Sequence, residues 1–316
     1  MQTCELCKGN RFHVIATEIR EGPGTILQCD TCGLVLQDIQ QTESDLKNYY
    51  NLDYQRTNSL REGEIQSPQE HFNDSIKAFE QVFERIRPYL ADNKKVLDIG
   101  CGTGELLYLV KPYVKEVTGI ELNEEFVGFI KNDLGIPAFA EDVNRINFPD
   151  KSFDLIFCIM TLDHLLNPYE TLITMKRLLK DDGILYIEVP NRREALNYYI
   201  PEENRKKFNT FFWHKAHNFY FTADTLTNML QKTGFTAEIS CRHQYTLVNF
   251  LHWYFCGTPQ KTFVDATNSS TLFAGDSEFE TWMNQLFKGA NQQFLEILSE
   301  TGTGDSLCCK AIHKRV

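Results

Sequence analysis

Apolar positions change their spacing along the chain, and the change marks out different elements. Between residues 71 and 90 the apolar side chains recur every three or four positions, as on one face of a helix. From residue 95 onward, short apolar runs such as KVLDIG (95–100) and FDLIFCI (153–159) alternate with amphipathic segments such as EEFVGFIKNDL (124–134). Short apolar runs are typical of strands that are buried on both faces. Their alternation with helices predicts a doubly wound α/β sheet, Rossmann-like, with mainly parallel strands.

The pattern after residue 236 is less regular. AEISCRHQYTLVNFL (237–251) suggests a strand, and SEFETWMNQLFKGANQQFLEILSE (277–300) reads as a helix. SLCCKAIHK (306–314) reads as the closing edge strand of the sheet. Aromatic and histidine side chains in this part are expected to fill the core rather than to line a pocket; they are His243, His252, Trp253 and Trp282.

The length and the changes of pattern divide the chain into parts. With 316 residues it suits one large domain and a small one. We predict a small N-terminal module at 1–40, a tyrosine-rich linker or lid at 41–70, and the α/β domain at 71–316. Within that domain, 192–218 and 242–300 read as insertions on the substrate side.

The formal net charge of −11 argues against nucleic-acid binding through overall positive charge. No run approaches the roughly 20 apolar residues that span a bilayer, and the first residues lack a basic segment followed by an apolar one. We therefore expect a cytoplasmic protein with no membrane partner. A local basic cluster lies in NRREALNYYIPEENRKKFNTFFWHK (191–215). It is a solvated surface, a site for the diphosphate of a ligand, or a site for single-stranded RNA.

Four of the ten cysteines form two CxxC pairs near the start of the chain, namely Cys4 with Cys7 and Cys29 with Cys32. Four thiolates at this spacing can close a tetrahedral Zn²⁺ site, and a closed site is structural. A redox pair or unrelated thiols are the alternatives, but redox CxxC motifs sit in a βαβ unit, which this segment is not. A segment of about 40 residues has a small core, so the metal would supply folding free energy.

The linker contains a cluster of tyrosines, Tyr49, Tyr50 and Tyr54. They either pack on a neighbour or form a lid that closes over a site.

A glycine-rich turn follows the first strand of the α/β domain, in DIGCGTGEL (98–106). Glycines at 100, 102 and 104 let the backbone approach a ligand at the carboxyl end of the strand. Glu121 ends the next strand, where an acidic side chain can bind both hydroxyls of a ribose. The dinucleotide fingerprint is GxGxxG, and Glu105 stands at its sixth position, which disfavours a nicotinamide cofactor.

These motifs, followed by AEDV (140–143) and FDLIFCIMTLDHLLNP (153–168), resemble the class I S-adenosylmethionine-dependent methyltransferases. The resemblance covers roughly residues 92–240. It implies that Asp98 and the turn face the methionine end of S-adenosylmethionine, that Glu121 binds the ribose, and that Asp142 binds the adenine amino group. The full set of implied cofactor contacts is Asp98, Gly100, Cys101, Gly102, Gly104, Glu121, Leu122, Asp142 and Val143.

The order of cysteine module, tyrosine linker and α/β domain resembles the methyltransferases of nucleotide-linked deoxy sugars, including 3-C-methyltransferases with a zinc module. That resemblance implies catalytic roles for His164, for His217 and, loosely, for Tyr54. The family's Tyr-His-Glu-His pattern does not match fully, because His214 replaces the tyrosine and Ala216 the glutamate. This departure weakens the case for C-methylation of a keto sugar and leaves His214 as a further candidate.

A histidine near pKa 6.5 suits removal of a proton from a methyl acceptor at neutral pH. His217 and His164 follow neighbouring strands and are expected on two walls of one pocket. Each histidine has a structural alternative: His217 braces its loop before a helix that Thr222 caps, and His164 packs in the core.

Three functions follow from these patterns. The first is methylation of a small hydroxylated metabolite, such as a nucleotide-linked or polysaccharide-precursor sugar, at oxygen or carbon. The second is methylation of ribosomal RNA, which the acidic composition disfavours. The third is an interaction protein that has kept the zinc module but lost activity, which the complete cofactor motif disfavours. The oligomeric state is left open by the sequence.

Overall fold

The structure is a computed structural model that describes residues 3–39, 41–52, 65–261, 266–267 and 272–314. Two sheets organise these residues. The smaller sheet is antiparallel and is formed by β1 (Phe12–Ile19), β2 (Gly22–Cys29), β3 (Val35–Gln37) and β9 (Phe219–Tyr220). The strands of the larger sheet are β4 (Lys95–Ile99), β5 (Glu116–Ile120), β6 (Ala138–Phe139), β7 (Phe153–Ile159), β8 (Leu179–Pro190), β10 (Phe235–Arg242) and β11 (Ser306–His313).

The order of the larger sheet is β10-β11-β8-β7-β4-β5-β6. Strands β8, β7, β4, β5 and β6 run parallel, whereas β11 is antiparallel to both of its neighbours. The predicted α/β sheet with mainly parallel strands is therefore confirmed. The prediction that 306–314 forms an edge strand is wrong, because β11 lies between β8 and β10 and the edge strand is β10.

Helices cover the larger sheet and follow the amphipathic segments. They are α1 (Glu43–Leu52), α2 (Pro68–Ile86), α3 (Glu105–Val110), α4 (Glu124–Asn132), α5 (Pro168–Leu178), α6 (Glu202–Phe212), α7 (Ala223–Lys232), α8 (Leu247–Cys256) and α9 (Glu278–Glu300). The start of α2 is fixed by a capping box, in which Ser67 accepts from the backbone of Glu70 and the Glu70 side chain accepts from the backbone of Ser67. In the part of the chain that the structure covers, no helix has the length and apolar character needed to cross a membrane.

The expectation of a strand over 237–251 is only half right. Strand β10 ends at Arg242, and the apolar run that follows forms α8. Thr246 caps that helix by accepting a hydrogen bond from the backbone of Asn249, and Gly257 ends it with a left-handed φ of 68°. Trp253 is buried as expected, whereas Trp282 on α9 is 57% exposed and is not part of the core.

The N-terminal cysteine segment packs onto the α/β domain. Strand β9 belongs to the loop that follows β8, yet it pairs with β3 of the N-terminal sheet. Leu6 and Leu34 belong to the same buried apolar cluster as Leu226 of α7, and the Lys232 ammonium donates a hydrogen bond to the Leu6 carbonyl (2.9 Å). This packing brings the N-terminal sheet next to the loop that carries His217.

Candidate active site

The glycine-rich turn lies at the carboxyl end of β4. Gly100, Gly102 and Gly104 have φ values of 73°, 56° and 91°, which an L side chain rarely adopts. A Cβ on Gly100 would lie 2.2 Å from Oγ1 of Thr161, in the loop after β7. The turn therefore combines left-handed backbone with close packing, and both require glycine.

Acidic side chains surround this turn. Asp98 is buried, and burial together with the charges of Glu105 and Glu121 raises its pKa to about 8. Desolvation also raises the pKa of Glu121, although its carboxylate accepts hydrogen bonds from the backbone N–H groups of Asn123 (2.9 Å) and Gly102 (3.1 Å). Oε2 of Glu105 is buried without a hydrogen-bond partner among the described residues. Such a group of buried carboxyls suits a ligand that brings positive charge and hydroxyl donors.

The remaining expected cofactor residues lie around the same edge of the sheet. Cys101 is buried within the turn, and Leu122 follows Glu121 and is half-buried. Val143 is buried, whereas Asp142 is half-buried and its Oδ1 accepts a hydrogen bond from the backbone of Asn144 (2.7 Å). Because β4, β5 and β6 are parallel neighbours, the segments that follow them share one edge.

His164 and His217 meet in one cluster, and Asp163 lies between them. Oδ2 of Asp163 is 3.4 Å from Nε2 of His164 and 3.5 Å from Nε2 of His217. The two imidazole rings are 4.9 Å apart between centroids. The Asp163 side chain is 1% exposed, that of His164 10% and that of His217 20%, so His217 is the most accessible of the three. The expectation that the histidines stand on two walls of one site fits this arrangement.

The charges of this cluster depend on one another. Burial raises the pKa of the Asp163 carboxyl, but its interactions with the imidazoles of His164 and His217 outweigh burial and hold that pKa below its usual range. Burial lowers the pKa of His217 well below 6.5, and Asp163 offsets only part of this effect. His217 is therefore a neutral imidazole at neutral pH, able to accept a proton or a metal ion.

His214 lies in a second layer. Its ring stacks on His217 at 4.8 Å, and its Nδ1 accepts a hydrogen bond from the backbone of Ala216 (3.1 Å). Burial and the charge of Arg20 lower its pKa to about 3. These contacts give His214 the geometry of a bracing residue beneath His217.

A tyrosine of the linker reaches the cluster, and it is Tyr50. Its hydroxyl lies 2.6 Å from Nδ1 of His164. Tyr54, the predicted candidate, lies outside the described residues. Neither Tyr50 nor Asp163 was predicted from the sequence as a site residue. The adjacency of Asp163 to His164 and the tyrosine cluster were the available signals.

The loop that carries the cluster is tied to the glycine-rich turn. Thr161 packs against Gly100, and its carbonyl accepts the backbone N–H of His164 (2.9 Å). The backbone N–H groups of Asn218 and Phe219 both donate to the carbonyl of Asp163 (2.8 and 3.0 Å). The histidine cluster and the glycine-rich turn are therefore parts of one site.

The four N-terminal cysteines converge. Sγ of Cys4 is 3.5 Å from Sγ of Cys32, and Sγ of Cys7 is 3.5 Å from Sγ of Cys29, with all four sulfurs within 4.8 Å of one another. Ligands bound to Zn²⁺ at about 2.3 Å in a tetrahedron are about 3.8 Å apart. The donor set and its spacing fit a structural zinc ion.

The residues of the basic cluster (191–215) lie in different surroundings. Lys206 and Lys207 form exposed ion pairs with Glu202 and Glu203 one turn earlier on α6, as on a solvated surface. Arg192 instead stacks on Trp213 at 4.8 Å, and its Nη1 is buried without a hydrogen-bond partner in the described part of the chain. A cavity of about 270 Å³ lies between the N-terminal sheet and the α/β domain, and its lining includes Val35, Arg192, Arg193 and Thr222.

Comparison with known proteins agrees with the fold and the turn. A family model described as a methyltransferase domain matches residues 69–238, more than half of the chain. Ubiquinone biosynthesis O-methyltransferase of Coxiella burnetii (strain Dugway 5J108-111) is 30% identical over 104 residues, which cover 31% of this chain and 44% of that protein. The protein of the same name from Actinobacillus pleuropneumoniae serotype 7 is 30% identical over 109 residues, which cover 31% of this chain and 47% of that protein. The chain spans about half the length of the curated relatives it matches.

A solved structure shows the same fold. The SAM-dependent methyltransferase from Archaeoglobus fulgidus superposes with a TM-score of 0.51 at 20% identity, covering 77% of this chain and 96% of that one. The family match extends from α2 into the first half of β10 and therefore includes the glycine-rich turn, Glu121 and the histidine cluster. This chain belongs to the methyltransferase domain family.

Proposed function

We propose that this protein transfers the methyl group of S-adenosylmethionine to a small hydroxylated metabolite. The observation that carries the proposal is the contact between the glycine-rich turn and the loop of the histidine cluster, through Thr161 and Gly100. A cofactor held by Asp98, the turn and Glu121 would present its sulfonium to a site where two imidazoles and a carboxylate meet. The buried carboxyls offset the positive charge of the sulfonium.

Methyl transfer is an in-line displacement, so the site has to align the acceptor and promote loss of its proton. The acceptor oxygen or carbon forms the new bond to the methyl carbon, and the breaking C–S bond leaves its electron pair on sulfur. In the simplest form of the reaction, neutral His217 takes the acceptor's proton and the nearby Asp163 carboxylate stabilises the imidazolium. His164 supports the same site, and His214 braces His217.

The acceptor class that we propose is a nucleotide-linked or polysaccharide-precursor sugar. The cavity beside Arg192 and Arg193 supports an acceptor with an anionic group, because Arg192 has a buried donor with no hydrogen-bond partner among the described residues. The four cysteines, in this proposal, hold a structural zinc ion that keeps the N-terminal sheet folded against β9.

Labelled S-adenosylmethionine offered with pools of nucleotide sugars and, separately, with ribosomal RNA tests this function. We expect label in a nucleotide sugar, with a fall of at least about a hundredfold in the His217→Ala variant. The matched control is His252→Ala on α8, whose imidazole hydrogen bonds the carbonyl of Thr258. Label that enters only RNA would replace the sugar proposal by RNA methylation, and cofactor binding without transfer to either pool would reject both.

A further inference from the structure

We propose that Asp163, His164 and His217 bind a divalent transition-metal cation of the zinc type, which in turn binds the acceptor hydroxyl. This inference rests on the proposed function and deepens it. It replaces direct proton transfer to an imidazole by loss of the proton from a metal-bound hydroxyl. The site is separate from the four-cysteine site.

The first support is the spacing of the three donor atoms. Oδ2 of Asp163 lies 3.4 and 3.5 Å from the two Nε2 atoms, and all three atoms lie within 4.8 Å of one another. These separations are long for hydrogen bonds between nitrogen and oxygen, which cluster near 2.9 Å. Ligands at about 2.0–2.1 Å from a tetrahedral zinc ion are about 3.4 Å apart. The donor atoms therefore stand at the spacing of ligands around one ion.

The second support is the state of the Asp163 carboxylate. It is 1% exposed, and neither of its oxygens has a hydrogen-bond partner among the residues that the structure describes. A buried carboxylate without donors is costly, and either positive charge or metal coordination offsets that cost. The two imidazoles face it at 3.4 and 3.5 Å, and a cation bound between them and the carboxylate would compensate its charge directly.

The third support is the outer contact of His164. A histidine that binds a metal through one nitrogen usually has its other nitrogen held by a neighbouring polar group. Nδ1 of His164 lies 2.6 Å from the Tyr50 hydroxyl, so the ring is oriented with Nε2 toward Asp163. Backbone hydrogen bonds from Asn218 and Phe219 to the Asp163 carbonyl hold the His217 loop against the same point.

The donor set selects the class of metal. Two imidazole nitrogens and one carboxylate suit Zn²⁺, Fe²⁺, Co²⁺ or Mn²⁺, whereas Mg²⁺ and Ca²⁺ prefer all-oxygen sites. Three protein ligands leave a coordination position open for a substrate oxygen, as in catalytic zinc sites. A hydroxyl bound there would release its proton to solvent near neutral pH, and the resulting alkoxide would attack the methyl carbon while the C–S electron pair goes to sulfur.

The test is the metal content and metal binding of the full-length chain. We expect two zinc ions per chain in the wild type and one in Asp163→Asn. The matched control is Asp305→Asn, because Asp305 also faces a buried imidazole, that of His243, at 3.8 Å; it should retain two. Cobalt substitution separates the two sites, because thiolate charge-transfer absorption arises only from Co²⁺ at the four-cysteine site. Asp163→Asn should lose the absorption of Co²⁺ at the histidine cluster and keep the thiolate band.

A second, milder variant keeps the proposal testable if Asp163→Asn fails to fold. Tyr50→Phe keeps the three ligands and should weaken Co²⁺ binding at this site by about tenfold or more, with the thiolate band unchanged. One zinc ion per chain in the wild type, with no further binding when Zn²⁺ or Co²⁺ is titrated in, would overturn the inference while leaving the proposed function standing. Two ions with no methyl transfer to any acceptor would instead reject the proposed function and keep the metal site.

Discussion

Gly100 shows how a single residue constrains the proposed cofactor site. Its φ of 73° lies in the left-handed region, and its missing Cβ leaves room for Thr161 of the loop that leads to Asp163 and His164. A side chain at this position would strain the backbone and push that loop away. One glycine therefore sets both the shape of the turn and the distance between the proposed cofactor site and the histidine cluster.

We expect Gly100→Ala to abolish cofactor binding and to destabilise the fold by about 1–3 kcal/mol, the range for a strained backbone position. Gly128→Ala is the control, because Gly128 lies in α4 and a Cβ there meets no atom within 4 Å. That change should preserve binding and stabilise the helix by up to about 1 kcal/mol. Calorimetric titration with S-adenosylhomocysteine and urea unfolding measure both effects. Equal binding by the two variants would contradict the argument.

We expect Asp98 to make the binding of S-adenosylmethionine depend on pH. Its pKa of about 8 means that the carboxyl is mostly protonated at pH 7 in the free protein. A cationic cofactor favours the ionised carboxylate and lowers that pKa, so binding should release up to one proton. Affinity for S-adenosylmethionine should then rise between pH 6 and 8. Calorimetry in buffers with different ionisation enthalpies counts the released protons, and Asp98→Asn should release none; a wild type that also released none would refute this.

The sequence predicted the proposed cofactor residues more completely than the residues of the histidine cluster. A glycine-rich turn between a strand and a helix and an acid at the end of the next strand are local patterns, and neighbouring parallel strands bring them together. Asp163 and Tyr50 left no such pattern. Their roles depend on how the loop after β7 meets His217 and α1, and these contacts join residues that lie 54 and 114 positions apart.

At the scale of elements, the pairing of β3 with β9 joins the cysteine segment to the site. Val35 pairs with Tyr220 and Leu36 with Phe219, so β9 begins two residues after His217. This junction was not predicted, since a two-residue strand carries no readable period. Helix α8 was mispredicted for a related reason, because an apolar run of this length suits either a strand or a helix. The N-cap at Thr246 favours the helix.

This junction predicts that the cysteine site stabilises the loop of His217. Cys32→Ser should lower zinc content and the melting temperature, because β3 loses its support and β9 loses its partner. The control is Cys256→Ser, because Cys256 is an exposed free thiol on α8. This change should alter neither the zinc content nor the melting temperature. Zinc analysis and thermal melting provide the measurement. Loss of zinc with an unchanged melting temperature would show that the cysteine segment folds independently of the α/β domain.

At the scale of the whole molecule, a buried ionic network connects the layers. Glu188 of β8 is fully buried and accepts hydrogen bonds from Arg85 of α2 (2.8 Å) and from Arg242 of β10 (3.0 Å). The network thus joins a helix that packs on the sheet to the sheet's antiparallel edge. The apolar cluster shared by Leu6 and Leu226 joins the N-terminal sheet to the same body. We therefore expect the described parts to unfold together.

Glu188→Gln tests that cooperation. Removing one partner of a buried ion pair leaves the arginines uncompensated, and such changes cost about 3–5 kcal/mol. Glu84→Gln is the matched control: Glu84 pairs with Arg87 on the surface, where both side chains are more than half exposed, and should cost less than about 1 kcal/mol. Urea unfolding followed by circular dichroism and by tryptophan fluorescence should give one coincident transition for each protein. The Glu188→Gln transition should lie at lower urea with an unchanged slope. Two separated transitions in the wild type would mean that the N-terminal sheet and the α/β domain unfold independently, despite sharing β9 and one apolar core.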